Sequence, residues 1–292
     1  AVHLEPVAWI NVNLALGQIC ALLAEDEQAR NHYQEALDRL ERMDSGQAAC
    51  ALRARALRGM GQLVYNEEPQ EALVWLRQAF DALAGAGGQV DPQLEAALYL
   101  DIGWAPRRLH NIAEAMDAFQ RGLARLPRGP SQLRGDALAR LVALYMAQFD
   151  LENARRYAQM AVENSRHLHN VWHEQTVLAM LGNIKHLGCD WKGAITDYEA
   201  ALALAVQIGD RSVHAAMETN LGVAHANLGN MDAALAHLTN GLNLCRQSHL
   251  RSSELKTQLA VSKLYMRLGR WADAENHLNA AEELVESTAS GE

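Results

Sequence analysis

The feature that most constrains the fold of this chain is a segment that recurs about every 40 residues. The stretch "LGNMDAALAHLTNGL" at 228–242 is followed by "LGRWADAENHLNAAE" at 268–282, and an ungapped alignment places Ala234 over Ala274. Self-similarity at a period of about 20 to 50 residues is typical of repeat architectures, in which each unit buries its apolar face by stacking on a neighbour. The sequence therefore predicts a stack of similar units.

An alanine that follows a turn and opens a helix marks each unit. Its successive spacings are 43, 43, 39, 40, 40 and 40 residues. A large side chain usually follows this alanine by four positions and a small one by seven, which puts all three on one helical face. A glycine often stands twelve positions before it, where a facing helix could approach closely. The pattern predicts helical hairpins, and the alanines are Ala29, Ala72, Ala115, Ala154, Ala194, Ala234 and Ala274.

This pattern resembles the tetratricopeptide repeat over nearly the whole chain. The first helix of that repeat carries a Leu-Gly pair and then a tyrosine, and its second helix carries the alanines. The resemblance implies an all-α fold, a right-handed α-solenoid of about seven hairpins, in which each hairpin buries its apolar face on its neighbours. It implies a single domain over 1–286 and a disordered tail over 287–292. The first-helix matches are Leu181, Gly182, Leu221, Gly222, Tyr145 and Tyr265.

Two stretches interrupt the repeat. In the first, at 82–92, glycines end a helix, and Asp91 followed by Pro92 is typical of an N-cap with proline at the first helical position. The second, at 125–136, contains two prolines. Both lie between repeats and are predicted to be loops, with a hinge at the second as the alternative. Pro106 lies inside a predicted first helix, which we expect it to kink or shorten.

Composition excludes several classes of protein. The net charge of -9 at pH 7 disfavours a general nucleic-acid binder, because such a protein must neutralise phosphates with cations. No apolar stretch of 18 residues exists, so a membrane span is not expected. The four cysteines are far apart and are predicted to be buried thiols in a reducing compartment. We therefore expect a cytoplasmic protein without direct nucleic-acid or membrane contacts.

The sequence carries no recognisable catalytic or cofactor motif. A phosphate-binding loop, a dinucleotide-binding glycine pattern and a nucleophile elbow are all missing from it. The stretch "SRHLHNVWHE" at 165–174 clusters three histidines, of which His169 and His173 could share a helix face. A metal site needs three or four converging ligands, and no further ligand is placed by spacing. We predict that the chain is not an enzyme and holds no metal or cofactor.

The resemblance also implies where a ligand binds, because in this family the first helix of each hairpin lines the concave surface. Cations and amides occupy several of the corresponding positions here. Arginine suits carboxylates, and asparagine can pair with donors and acceptors of a peptide backbone. Family members that clamp peptide carboxylates use such residues, although Val223 and Leu259 depart from the full clamp. The alternative is that these are only solvated helix faces. The candidates are Trp104, Arg107, Arg108, Arg140, Asn183, His186, Asn220, Asn227, Lys263 and Arg267.

Two functional hypotheses follow from the resemblance. Long repeats with junctions such as "QIGDRS" at 207–212 look like the sensor segments of large bacterial signal-transduction ATPases and of LuxR-type and maltose-activator-type transcription regulators. The first hypothesis is therefore a regulatory module of a larger regulator, which binds a peptide, a protein or a small-molecule effector. The missing initiator methionine is consistent with such a segment. The alternative is a free-standing peptide receptor or an assembly scaffold, and both leave open a homodimer.

Overall fold

The computed structural model is entirely α-helical in the part of the chain that it describes. Fourteen helices and no strand are found in the described ranges, which confirms the predicted all-α class. The model describes residues 6–43, 46–85, 91–108 and 111–289, with the backbone alone at 105–108 and 287–289. None of the helices in these ranges is long and apolar enough to cross a membrane.

The chain divides into two compact units, residues 1–129 and 130–292. Within each unit, every odd-numbered helix pairs with the helix that follows it, and each hairpin packs on the next one. The predicted hairpin stacking of an α-solenoid is thus confirmed, while the single-domain organisation stays a prediction. The first unit contains α1 (Pro6–Leu22), α2 (Asp26–Glu41), α3 (Gln47–Leu63), α4 (Pro69–Ala84), α5 (Pro92–Arg108) and α6 (Ile112–Arg125). The second contains α7 (Gln132–Ala147), α8 (Leu151–His167), α9 (Val171–Leu187), α10 (Trp191–Ile208), α11 (Arg211–Asn227), α12 (Met231–Gln247), α13 (Arg251–Arg267) and α14 (Trp271–Ala289).

The predicted pairing of a small residue with a large one brings the two helices of a hairpin together. All seven marker alanines are buried. A Cβ atom added at Gly182 would lie 2.4 Å from the ring of Tyr198, and one added at Gly222 would lie 2.6 Å from Leu238. These contacts are closer than carbon atoms tolerate, so only glycine fits at these two crossings.

The second hairpin shows a shift of register that the sequence pattern missed. Counting twelve positions back from Ala72 gives Met60, which suggests that the glycine is absent from this repeat. In the structure the close approach is made by Gly61, where an added Cβ atom would lie 3.1 Å from Leu76. The glycine is therefore present, with one residue fewer between it and the marker alanine.

The loop predictions can be compared directly with the structure. Helix α5 begins at Pro92, and the Asp91 side chain accepts a hydrogen bond from the backbone N–H of Gln93 at 2.9 Å, as expected of an N-cap. Pro106 lies in the last turn of α5, which still has 17 residues. Helix α14 extends to Ala289, three residues beyond the predicted end of the domain, and 290–292 lie outside the described residues.

The turns inside the hairpins need a residue in the left-handed conformation. Gly229 and Gly269 provide it, with φ of 85° and 71°. In "LGCD" the glycine comes one position too early: Gly188 has φ of -82°, and Cys189 takes the left-handed conformation with φ of 60°. The expectation that Gly188 supplies this turn was wrong, since the conformation depends on the position in the turn rather than on the dipeptide.

We expect Cys189→Gly to raise the free energy of unfolding by about 1 kcal/mol, because a side chain in the left-handed region costs about 1 to 2 kcal/mol that glycine avoids. Cys189 is exposed, so the substitution removes no buried contact. Urea denaturation followed by circular dichroism measures the change. Gly229→Ala is the opposite control, because no atom lies within 4 Å of the added Cβ and only the φ of 85° opposes it. An unchanged midpoint for both variants would contradict this account.

The histidines at 165–174 do not converge. His169 lies in the turn before α9 with φ of 50°, so the predicted sharing of a helix face with His173 was wrong. His173 Nδ1 lies 2.5 Å from the buried Ser165 Oγ, and burial lowers the pKa of its imidazole. Among the described residues, no three or more His, Cys, Asp or Glu side chains are arranged to hold a metal ion.

Candidate binding groove

A groove of about 710 Å³ lies along α11 and α13 in the second unit. Four of the residues selected from the sequence line it: Asn220 and Asn227 on α11, and Lys263 and Arg267 on α13. The repeat places them there because the first helices of successive hairpins stand side by side. The other lining residues are Thr219, Val223, Ala226, Leu238, Lys256, Leu259, Ala260, Leu264 and Met266.

The electrostatic character of this groove is cationic. Lys256, Lys263 and Arg267 are exposed and lie seven and four residues apart, which places them on one face of α13. None of the three makes an ion pair within the described part of the chain. The described lining contains no carboxylate. A protein with a net charge of -9 thus concentrates unpaired positive charge in one groove.

The base of the groove is largely apolar. Val223 on α11 and Leu259, Ala260 and Met266 on α13 contribute most of this surface, and Leu264 lies buried beneath it. Apolar surface next to a few charged and amide groups is the usual composition of a binding site, because burial supplies affinity and polar contacts supply orientation. The groove can therefore accept a ligand that carries both aliphatic and acidic groups.

A smaller cavity of about 290 Å³ continues the groove across α9 towards α7. It shares Asn220 and Val223 with the larger one and is also lined by Asn183 and His186. The Asn183 Oδ1 accepts hydrogen bonds from the Tyr198 hydroxyl at 2.8 Å and from Asn220 Nδ2 at 3.4 Å. These bonds fix the orientation of the amides before any ligand arrives.

His186 contributes hydrogen bonding rather than charge to the smaller cavity. Burial lowers the pKa of its imidazole, so the ring is neutral at pH 7. Its Nδ1 is buried and has no hydrogen-bond partner among the described residues, and the ring lies edge-on to Trp191 at a centroid distance of 4.7 Å. The positive charge of the groove therefore comes from α13 alone among the described lining residues.

The structure does not bring all the sequence candidates together. Trp104 on α5 and Arg140 on α7 are half-buried and line neither of these cavities. Arg107 and Arg108 end α5 within 105–108, so their side chains lie outside the described residues and their role stays a prediction.

Sequence reasoning missed Lys256. The positions taken as groove-facing extended only one turn before the expected glycine position of each first helix, and Lys256 lies almost two turns before it. Its spacing of seven residues from Lys263 was the available signal, because residues seven apart lie on the same helical face.

A buried carboxylate stabilises the helix that carries the amides. Glu218 on α11 accepts a hydrogen bond from His237 Nδ1 on α12 at 2.8 Å, and His214 Nε2 lies 3.7 Å away. Two other hairpins have a polar pair in the same register, so this is a repeated link between the two helices of a hairpin. Those pairs are Asn13 with His32 at 2.9 Å and Gln258 with His277 at 2.6 Å.

Comparison with known proteins places the repeats. The family model described as "Tetratricopeptide repeat" matches residues 213–287, the part that contains the cationic helix of the groove. No curated protein sequence matches the chain. With the stacked hairpins described above, the match shows that the chain carries tetratricopeptide repeats, as the sequence pattern predicted.

Solved structures share the fold at low sequence identity. The apo form of RapI is 15% identical with a TM-score of 0.73, over 95% of this chain and 77% of that one. A signal-transduction ATPase with a tetratricopeptide repeat sensor from Pyrococcus horikoshii is 16% identical with a TM-score of 0.71, over 95% of this chain but only 41% of that one. NprR in complex with its cognate peptide NprX is 13% identical with a TM-score of 0.58, over 95% and 78%.

Most of these names describe binding or sensing rather than catalysis. One similar structure, at 12% identity, is nevertheless named aspartyl phosphate phosphatase F from Bacillus subtilis. Identities this low establish the fold alone, because unrelated functions are built on one fold. The groove of this chain therefore has to carry the functional argument.

Proposed function

We propose that this tetratricopeptide repeat chain is a non-catalytic interaction module that binds an acidic peptide or protein segment along α9, α11 and α13. The observation that carries the proposal is the row of three unpaired cations beside two groove amides and an apolar base. A surface that served only for solvation would gain nothing from gathering one sign of charge over exposed apolar side chains.

The spacing of these cations describes the ligand. At about 1.5 Å per helical residue, Lys256 and Lys263 are separated by about 10 Å along α13, and Lys263 and Arg267 by about 6 Å. An extended chain advances about 3.3 Å per residue, so carboxylates three and two residues apart match these distances. Asn220 and Asn227 can bond the ligand backbone, and aliphatic ligand side chains can cover Val223.

The proposed biological role is a sensor. A binding-driven change in how neighbouring hairpins pack would signal occupancy, provided that the ligand prefers one of two states. The similarity to an ATPase with such a sensor and to a receptor solved with its peptide supports a cytoplasmic regulatory segment of a larger bacterial transcription regulator. The alternative is a free-standing peptide receptor or scaffold, and the coding sequence on either side of this segment discriminates between them.

The test starts from selection of ligands on a displayed library of random 12-residue peptides. We expect the selected peptides to be enriched in Asp and Glu. Changing Lys256, Lys263 and Arg267 together to Glu should weaken their binding at least about 100-fold, because three attractions become repulsions in a partly desolvated groove. Isothermal titration calorimetry measures the affinity, and higher salt should weaken it in the wild type.

A matched control makes the same change of charge elsewhere. Arg155, Lys192 and Arg211 are exposed and unpaired in the described part of the second unit, and none lines the groove. Their joint replacement by Glu should leave the affinity within about threefold of the wild type. Equal losses in both triple variants would reduce the effect to net charge, and the proposed site would then be wrong.

A further inference from the structure

The first helix exposes a row of large apolar side chains. Val12, Leu16, Ile19 and Leu23, here called the α1 stripe, are between 38% and 64% exposed. They are separated by four, three and four residues, so they form one continuous line on the helix. Isolated exposed apolar residues are ordinary on protein surfaces, but a continuous line of them is typical of an interface.

The repeat shows what this stripe is built to contact. In the first helices of later hairpins, the positions five before, one before and two after the close-approach position are at most 8% exposed. There they are covered by the second helix of the preceding hairpin; for example, Thr257 on α13 contacts Cys245 on α12, with Oγ1 and Sγ 3.9 Å apart. The covered residues are Val177, Leu181 and Ile184 on α9, Met217, Leu221 and Ala224 on α11, and Thr257, Val261 and Leu264 on α13.

The last helix treats its uncovered face differently. Leu278 and Val285 on α14 are exposed, but Glu275 and Glu282 stand between them and are also exposed. Charged side chains on an end helix act as the polar cap that a stack of repeats needs. Helix α1 has no charged residue in its 17 positions, so among the described helices it presents an end face without such a cap.

We propose that the α1 stripe pairs with the α1 stripe of a second copy of the chain in a two-fold symmetric dimer. Its four-three-four spacing is that of a heptad seam, in which like helices interlock side chains. Because α1 is uncharged, two copies approach without repulsion between like charges at the contact. A two-fold interface uses the same patch on both partners, which a self-complementary row of aliphatic residues satisfies.

The size of the contact sets the strength of the dimer. A helix of 17 residues is about 25 Å long, so one helix pair falls at the small end of specific interfaces. We therefore expect a reversible dimer with a dissociation constant in the micromolar range. This inference concerns residues outside the groove and stands or falls independently of the proposed function.

Sedimentation velocity between about 1 and 200 µM tests the proposal. The wild type should shift from monomer to dimer, while Leu16→Glu and Ile19→Glu should each weaken dimerisation at least about 50-fold. Both positions are exposed, so helicity measured by circular dichroism should not change; if one variant loses helicity, the other decides. Val285→Glu is the matched control, since it adds the same charge to an equally exposed apolar position on α14 and should leave the dimer intact.

Three results would overturn the proposal. A wild type that stays monomeric at 200 µM would mean that something other than a second copy covers the stripe, such as a helix from elsewhere in a longer polypeptide. Dimers that persist in both α1 variants would place the contact elsewhere. Species larger than a dimer that disappear with Val285→Glu would indicate head-to-tail association of α14 with α1 instead of two-fold pairing.

Discussion

Ala234→Glu is expected to lower the free energy of unfolding by at least about 4 kcal/mol, which is enough to unfold the α11–α12 hairpin under ordinary conditions. Ala234 is fully buried at the crossing of these helices, and a Cβ atom added at the facing Gly222 would lie only 3.0 Å from its carbonyl oxygen. The glutamate would therefore have to lose its hydration in a space that does not hold it, or force the helices apart.

Ala236→Glu is the matched control, because it places the same residue on the exposed face of the same helix. We expect its free energy of unfolding to stay within about 0.5 kcal/mol of the wild type. Urea denaturation followed by far-UV circular dichroism compares the two variants. Similar midpoints for both would mean that the crossing at Ala234 is loose, and the packing role given to the marker alanines would be wrong.

The fold could be read from the sequence because a few positions recur under a strict steric requirement. A small residue at a helix crossing cannot be exchanged freely, so Ala194 and Ala234 keep their places while exposed positions drift. The hydrophobic period of each helix then follows from which face is covered. This is why the type and number of the elements were predicted correctly, and why marker alanines coincide with fully buried sites.

The misses arose where geometry depends on single residues in turns. Gly61 makes the close approach that counting assigned to Met60, and Cys189 takes the conformation assigned to Gly188. A one-residue change in a turn shifts every later position, and a pattern of side-chain types does not contain the backbone angles. The buried pair of Glu218 and His237 was missed because nothing in a sequence tells which polar residues of two helices face each other.

The candidate groove was only partly predictable for a related reason. Position in the repeat tells which face of a first helix is concave, and this was enough to select Asn220, Asn227, Lys263 and Arg267. It does not tell whether a side chain reaches the shared cavity, which depends on its neighbours. Arg140 occupies an equivalent helix but lines neither cavity.

The second large effect is expected at the crossing of α9 and α10. Gly182→Val should cost at least about 3 kcal/mol of folding free energy, because the first atom of the new side chain already lies 2.4 Å from the ring of Tyr198, which is fully buried. Tyr198→Ala alone should cost about 4 kcal/mol through the cavity it leaves and the lost hydrogen bond from its hydroxyl to Asn183.

The two changes together should cost less than their sum by at least about 2 kcal/mol, since the valine would fill space that the tyrosine leaves. The chain itself supplies the precedent: in the α7–α8 hairpin the corresponding positions are Val142 and Ala158, and both are fully buried. Denaturation of the wild type, both single variants and the double variant gives the coupling energy. Strictly additive costs would show that the two positions do not share one space, whereas strong coupling would mean that each crossing conserves a combined volume. Successive repeats could then exchange glycine with tyrosine for valine with alanine while the helices keep their separation.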